Sequence, residues 1–239
     1  MNSIEVNDLT KQFGAFTAVN HISFEVREGE IFGFLGANGA GKTTAIKMMS
    51  GLLQPTSGTA TIAGYDVRTQ SKLIKRNIGY MSQRFSLYND LTVFENMQLF
   101  GTIYKIPRKE LKERIHTSLR KLDMDRHANT LVQAIPLGWK QKLAFATAIL
   151  HRPKIVFLDE PTSGVDPIVR REFWKLIYET ASTGVTILVT THYMDEAEYC
   201  NRISIMAEGE LKLIGTPDEL KRNMAATTIN DVFVKFVKR

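Results

Sequence analysis

Residues 30–50 read EIFGFLGANGAGKTTAIKMMS, and this stretch decides the fold. Ile31 to Leu35 is a short, wholly apolar run of the kind that forms a buried strand. The glycine-rich loop from Gly36 to Gly41 follows. Thr43 to Ser50 then places Ile46 and Met49 on one helical face, with Gly51 positioned as a C-cap. Strand, loop and helix together frame the pattern GxxxxGK(S/T) at Gly36, Gly41, Lys42 and Thr43. Glycines let successive backbone N–H groups converge on phosphate oxygens, and the helix N-terminus adds a favourable dipole. Lys42 supplies a point charge for β- and γ-phosphates, and the Thr43 hydroxyl can ligate Mg²⁺. At ordinary glycine usage of about 7%, a chance match in a chain of this length is on the order of 1%. The strand–loop–helix setting lowers it further, so Gly36, Asn38, Gly39, Ala40, Gly41, Lys42, Thr43 and Thr44 are the candidate nucleotide contacts.

Other runs supply matching chemistry. "IVFLDE" ends a second apolar run on Asp159 and Glu160, and strand ends are where open α/β sheets bind ligands. Asp159 suits a place just outside the direct ligands of Mg²⁺, and Glu160 is placed to take a proton from an attacking water. Alone, two acids at a strand end could be simply solvated; beside the glycine loop they gain a partner. His192 follows "TILVTT", a further strand end. It can hydrogen-bond a γ-phosphate or serve as a satisfied structural histidine, and its place downstream of the acid pair by one helix and one strand favours the first. Gln83, in "GYMSQRFSLYNDLTVFEN", sits where strand chemistry gives way to helices; it can touch Mg²⁺ or water, although a loop glutamine alone says little.

The remaining sequence sets bounds. With 239 residues and 44% hydrophobic content, the chain can bury a substantial core. Cys200 is the single cysteine, so an internal disulfide framework is excluded and metal ligation by thiolates has no support. MNSIEVNDLTKQF lacks the apolar core of a signal peptide, and no run reaches the roughly 18 apolar residues of a membrane span, so any membrane role is expected to be peripheral. Thirty-one Lys and Arg against 25 Asp and Glu give +6, compatible with phosphate ligands, anionic lipid or nucleic acid. The basic residues of 105–126 read as the solvated face of helices.

Strand-like alternation over 2–35 opens a β-rich lobe, and "SGTATIAGYDV" returns to strand chemistry. From Thr92 the period changes: Thr92 and Glu95 form a capping box, and Leu111, Ile115, Leu119 and Leu122 recur at helical spacing after Pro107. "KIVFLDE" and "GVTILVTTH" read as buried parallel strands separated by helix. The tail "TTINDVFVKFVKR" carries an apolar–basic helix pattern. The expected organisation is one domain over 1–239. Residues 1–89 would hold a β subdomain and the phosphate-loop part of the core, 90–150 a helical subdomain, and 151–239 the rest of the core and the tail.

Taken in order, "GANGAGKTT", "MSQ", "PLGWKQKL", "IVFLDEP", "SGVD" and "TTH" closely resemble the ATP-binding cassette (ABC) ATPases over nearly the whole length, in particular the ATPase subunits of bacterial drug-type exporters. The resemblance implies an α/β fold: a P-loop NTPase cassette with a RecA-like core of mainly parallel strands, an antiparallel β subdomain and a helical subdomain. It implies ATP and Mg²⁺ as ligands, and two cassettes, as a homodimer or a tandem pair, enclosing two ATP molecules. It also implies separately encoded transmembrane permease subunits at the cytoplasmic face of the membrane. Phe13 matches the aromatic that stacks on adenine, although it could simply pack in the core. Asp166 matches the loop that crosses between cassettes, and with Pro167 it also makes a helix N-cap. Phe85 and Tyr88 are candidate anchors for a helix of the permease, or core of the helical lobe.

The resemblance fails in one place. The family pattern Leu-Ser-Gly-Gly-x falls on Ile135 to Trp139, where Pro136 replaces the serine, Leu137 replaces the first glycine, and Gly138 remains. Pro136 offers neither hydroxyl nor N–H, so a charge-assisted hydrogen bond of roughly 1.5–3 kcal/mol is missing. The following helix, tolerant of proline in its first turn, would still present N–H groups. A loss of roughly 10- to 100-fold at that contact is expected rather than abolition. Two other classes compete: a soluble ABC ATPase acting on nucleic acid or the ribosome, and a regulatory cassette that hydrolyses weakly. The interval from Gln83 to Pro136 is too short for a long coiled-coil arm, so no nucleic-acid partner is expected; only Pro136 supports the regulator.

Overall fold

The computed structural model describes residues 1–83 and 86–237. Its strands are β1 (Asn2–Phe13), β2 (Phe16–Arg27), β3 (Ile31–Leu35), β4 (Ser57–Ile62), β5 (Tyr65–Asp66), β6 (Ile78–Met81), β7 (Ile155–Asp159), β8 (Thr186–Thr191), β9 (Arg202–Ala207) and β10 (Glu210–Gly215). Its α-helices are α1 (Lys42–Met49), α2 (Ser71–Asn77), α3 (Val93–Ile103), α4 (Arg108–Lys121), α5 (Leu137–Ile149), α6 (Pro167–Ala181), α7 (Pro217–Asn223) and α8 (Ile229–Val237).

Two sheets form. The antiparallel one runs β2-β1-β4-β5, and the other runs β10-β9-β3-β8-β7-β6, parallel except for β10 against β9. The central parallel strands are buried on both faces, and their pleat sends alternate side chains to opposite cores. Phe32, Phe34, Ile155, Phe157 and Leu188 enter the core shared with α1 and the antiparallel sheet. Ile31, Leu35, Val156, Leu158, Ile187 and Val189 enter the core built with Phe173, Trp174 and Ile177 of α6. Each such side chain contributes roughly 1.5–3 kcal/mol of burial, enough to fix the register, since a one-residue slip would exchange the two cores.

The helical lobe has its own core. Val93 and Met97 of α3, Leu111, Ile115 and Leu119 of α4, and Leu143 and Ala146 of α5 pack together. The Thr92–Glu95 capping box is formed in full. Strand β6 and helix α2 have no counterpart in the sequence reading. β6 lies beside β7, where Gly79 is required because a Cβ there would sit 2.3 Å from the Ala148 carbonyl oxygen of α5. Registers Leu35↔Thr191 and Asp159↔Thr190 align the carboxyl ends of β3, β8 and β7, with β6 alongside. Gly36, Ser82, Glu160 and His192 therefore leave the sheet on the same side.

Candidate functional site

The glycine loop is shaped by what crowds it. A Cβ on Gly36 would lie 2.3 Å from the Met206 carbonyl oxygen. Gly41, at φ +102°, would place one 2.4 Å from the Ala18 carbonyl oxygen of β2. The loop thus threads between β9 and β2 with room for backbone alone, as a phosphate cradle needs. Lys42 is 4% exposed; its Nζ donates to the carbonyls of Gly36 (2.7 Å) and Ala37 (3.1 Å) and lies 3.5 Å from Glu160 Oε1. Burial holds its pKa below the usual lysine range, with Glu160 and Asp159 opposing that shift.

Asp159 Oδ1 accepts hydrogen bonds from Thr190 Oγ1 (2.8 Å) and Thr43 Oγ1 (3.1 Å). Burial pushes its carboxyl up, while the two hydroxyls hold it down. Glu160 stands at φ +49°, a left-handed conformation that costs roughly 1–2 kcal/mol for an L-residue. Its surroundings hold it there: the amide N–H donates to the Thr190 carbonyl (3.1 Å) and Oγ1 (3.0 Å). Its Oε2 accepts from Gln83 Nε2 at 3.1 Å and lies 3.1 Å from His192 Nδ1. One carboxylate is therefore touched by Lys42 at the start of α1, Gln83 just past β6 and His192 just past β8.

Thr190 escaped the sequence reading although it bonds both acids. The signal available is the threonine pair closing "TILVTTH", whose first member faces Asp159 across the ladder.

The other predicted residues lie elsewhere. Asp166 accepts from the N–H groups of Ile168 (2.9 Å) and Val169 (3.1 Å), capping α6. A Cβ on Gly138 would meet Val169 Cγ1 at 2.7 Å, and Gln141 Nε2 donates to the Ser163 carbonyl at 3.3 Å. The 136–141 segment and the 163–169 loop thus form a second group, joined to each other. Pro136 occupies the N-cap of α5 rather than its first turn, and it gives no side-chain acceptor there. The Trp139 and Lys140 N–H groups both donate to the Pro136 carbonyl at 3.1 Å, and no side chain caps the N–H groups ahead of them. Phe13 closes the β1–β2 hairpin opposite Phe16; the two are 50% and 64% exposed, so neither is core. Tyr88 is half exposed as well, and Phe85 lies outside the described residues.

These donors can be tested against the ligands the sequence implies. Thr43, Asp159 and Gln83 offer hydroxyl, carboxylate and amide oxygens. Among the described residues, no group of three or more His, Cys, Asp or Glu could hold a metal ion. A sparse oxygen set of this kind fits Mg²⁺, which keeps waters and takes its remaining ligands from phosphate.

Residues 19–163 match the family model described as ABC transporter. The chain is 49% identical over 222 residues to the probable multidrug ABC transporter ATP-binding protein YbhF of Escherichia coli (strain K12), across 93% of this chain and 38% of that protein. It therefore spans well under half the length of that relative. It is 35% identical to the linearmycin resistance ATP-binding protein LnrL of Bacillus subtilis (strain 168), across 95% of this chain and 73% of that protein. A solved ATP-binding subunit of an ABC transporter superposes with TM-score 0.88 at 30% identity, covering 98% of this chain and 99% of that one. A nucleotide-free ATP-binding cassette, 21% identical with TM-score 0.86, agrees in fold.

Proposed function

The chain belongs to the ABC transporter ATP-binding family, and from that premise we propose that it hydrolyses ATP to ADP and phosphate to power a membrane exporter of drugs or other small molecules. The observation that carries the reading is the convergence of Lys42, Gln83 and His192 on the Glu160 carboxylate, beside Asp159 held by Thr43.

In this reading the triphosphate lies along residues 36–44, with the β- and γ-phosphates met by backbone N–H groups and by Lys42. Lys42 exchanges its carbonyl partners, Gly36 and Ala37, for phosphate oxygens. Glu160 accepts the proton of the attacking water, and Gln83 and His192 fix its carboxylate in place before reaction. Thr43 and Asp159, with Gln83, would hold Mg²⁺, which neutralises charge on the phosphates when bound.

ABC ATP-binding subunits act with transmembrane components, and we assign this chain a peripheral place on the cytoplasmic face beside separately encoded permease subunits. Among the described residues no helix is long and apolar enough to cross a membrane. Phe13 stacks on adenine in this reading. The segment at Gly138 and the loop at Asp166 meet the nucleotide of a second cassette, with Pro136 weakening that contact. Drug export is supported by the names of the two relatives, a multidrug and an antibiotic-resistance protein. The chain is then one cassette, with 90–150 as its helical subdomain.

Steady-state ATP turnover of the wild type against Glu160→Gln tests the proposal. Loss of a general base lowers the rate by roughly 10²–10⁴ while nucleotide affinity is kept. Equal turnover by the two proteins, measured with the membrane partner present, would overturn it.

A further inference from the structure

One buried charge network is not used by this mechanism. Glu196 is 0% exposed and lies in the 3₁₀ turn Met194–Tyr199, four residues after His192. Its Oε1 accepts from Thr162 Oγ1 at 2.5 Å and is 3.6 Å from Arg170 Nε. The Arg170 guanidinium lies 3.8 Å over the Tyr193 ring, and its Nη1 reaches Asp195 Oδ2 at 3.5 Å. The Tyr193 ring is in turn 4.2 Å from the His192 ring. Glu196 Oε2 and Arg170 Nε are both buried without a hydrogen-bond partner.

A buried carboxylate with one oxygen unpaired is an expensive way to hold a turn together; an apolar pair of the same shape would cost less. What the network does achieve is a connection. Thr162 begins the 162–166 loop, Arg170 is in α6, which that loop leads into, and Tyr193 is the neighbour of the histidine that touches Glu160. We propose that Glu196 and Arg170 are positioning residues: they tie the 162–166 loop to the His192 ring, so that the placement of His192 against Glu160 depends on the placement of that loop. Tyr193, clamped between Arg170 and His192, is the transmitting contact. The inference rests on the reading of Glu160 as the base and adds a route by which the loop bearing Asp166 reaches it.

The test uses the full chain with its membrane partner. Glu196→Gln is expected to lower kcat about tenfold with KM for ATP within about twofold of wild type, as loss of a transition-state contact requires. Thr162→Val should behave likewise, whereas Thr162→Ser, which keeps the hydroxyl, should restore kcat. In a His192→Ala background, Glu196→Gln should add less than twofold, because the histidine it positions is already gone. A second readout needs no turnover: Glu196→Gln should speed amide hydrogen exchange in both 162–166 and 192–196. Unchanged exchange in the 162–166 segment, or full multiplication of the Glu196→Gln and His192→Ala effects, would overturn the network. If wild type and Glu160→Gln turn over equally, the reading of the base fails while the exchange measurement still decides this one.

Discussion

Thr190→Val isolates one atom of the site. Thr190 is fully buried; its hydroxyl donates to Asp159 Oδ1 at 2.8 Å and accepts from the Glu160 amide at 3.0 Å. Valine fills the same space without the oxygen. The Glu160 N–H keeps the Thr190 carbonyl at 3.1 Å, so its loss is small. Asp159 loses one of two hydroxyl donors, and a hydrogen bond to a charged group is worth roughly 1.5–3 kcal/mol. Urea unfolding at neutral pH should therefore report a destabilisation of about 2 kcal/mol. The pH dependence carries the sign. Burial raises the Asp159 carboxyl above 3.8, so the native state binds more protons than the unfolded chain just above that value. Its contribution to stability accordingly falls as pH rises from 3.8 to the native pKa, and is constant beyond. Removing the hydroxyl moves the native value further up and extends that falling limb to higher pH. Thr190→Ser should return the limb to its wild-type range. A Thr190→Val protein within about 0.5 kcal/mol of wild type, with an unmoved limb, would refute the assignment of Thr190 as the support of the acid pair.

Two further outcomes are expected. His151 Nε2 donates to the Ile78 carbonyl at 3.0 Å, and its ring stacks on Tyr104 at 3.6 Å between ring centroids; burial lowers its pKa from 6.5 to about 4. Between those values the unfolded chain takes up a proton that the native histidine does not, so stability falls as pH drops from 6.5 to about 4, and His151→Gln should flatten that limb in acid-unfolding curves. Asp166→Ala removes the cap of α6 and should cost about 1 kcal/mol in thermal or chemical unfolding, whereas Asp166→Asn, which keeps the acceptor, should stay close to wild type.

The legible parts of this molecule were those encoded within a few residues. The glycine loop, the Thr92–Glu95 capping box, the heptad-like spacing of α4 and the short apolar runs ending in Asp159 and Thr191 each need only a local window. The placing of His192 on the same side as the acid pair was accessible because a parallel sheet puts its strand ends together, whereas the contacts of Gln83 and His192 with Glu160 itself were not. What stayed hidden depends on distant pairing. β6 is four residues long and contains a glycine demanded by α5, so neither length nor propensity marks it. β10 owes its place to β9, and its side chains are mostly half-buried, which blurs the alternation. Thr190 and Thr162 matter through partners 31 and 34 residues away, Asp159 and Glu196, and a threonine at a strand end or in a loop carries no local sign of such a partner.

The carbonyl that walls Gly41 belongs to Ala18, two positions along the same strand from Phe16. Two extended residues span about 7 Å, so the aromatic hairpin and the glycine loop sit at a spacing set by covalent geometry. β2 acts as a gauge block between them. An insertion or deletion of one residue between Phe16 and Ala18 would change that spacing by about 3.3 Å and turn the Phe16 ring to the opposite face of the sheet. The strand's length therefore fixes the distance from the aromatic turn to the glycine loop as firmly as any side-chain contact does.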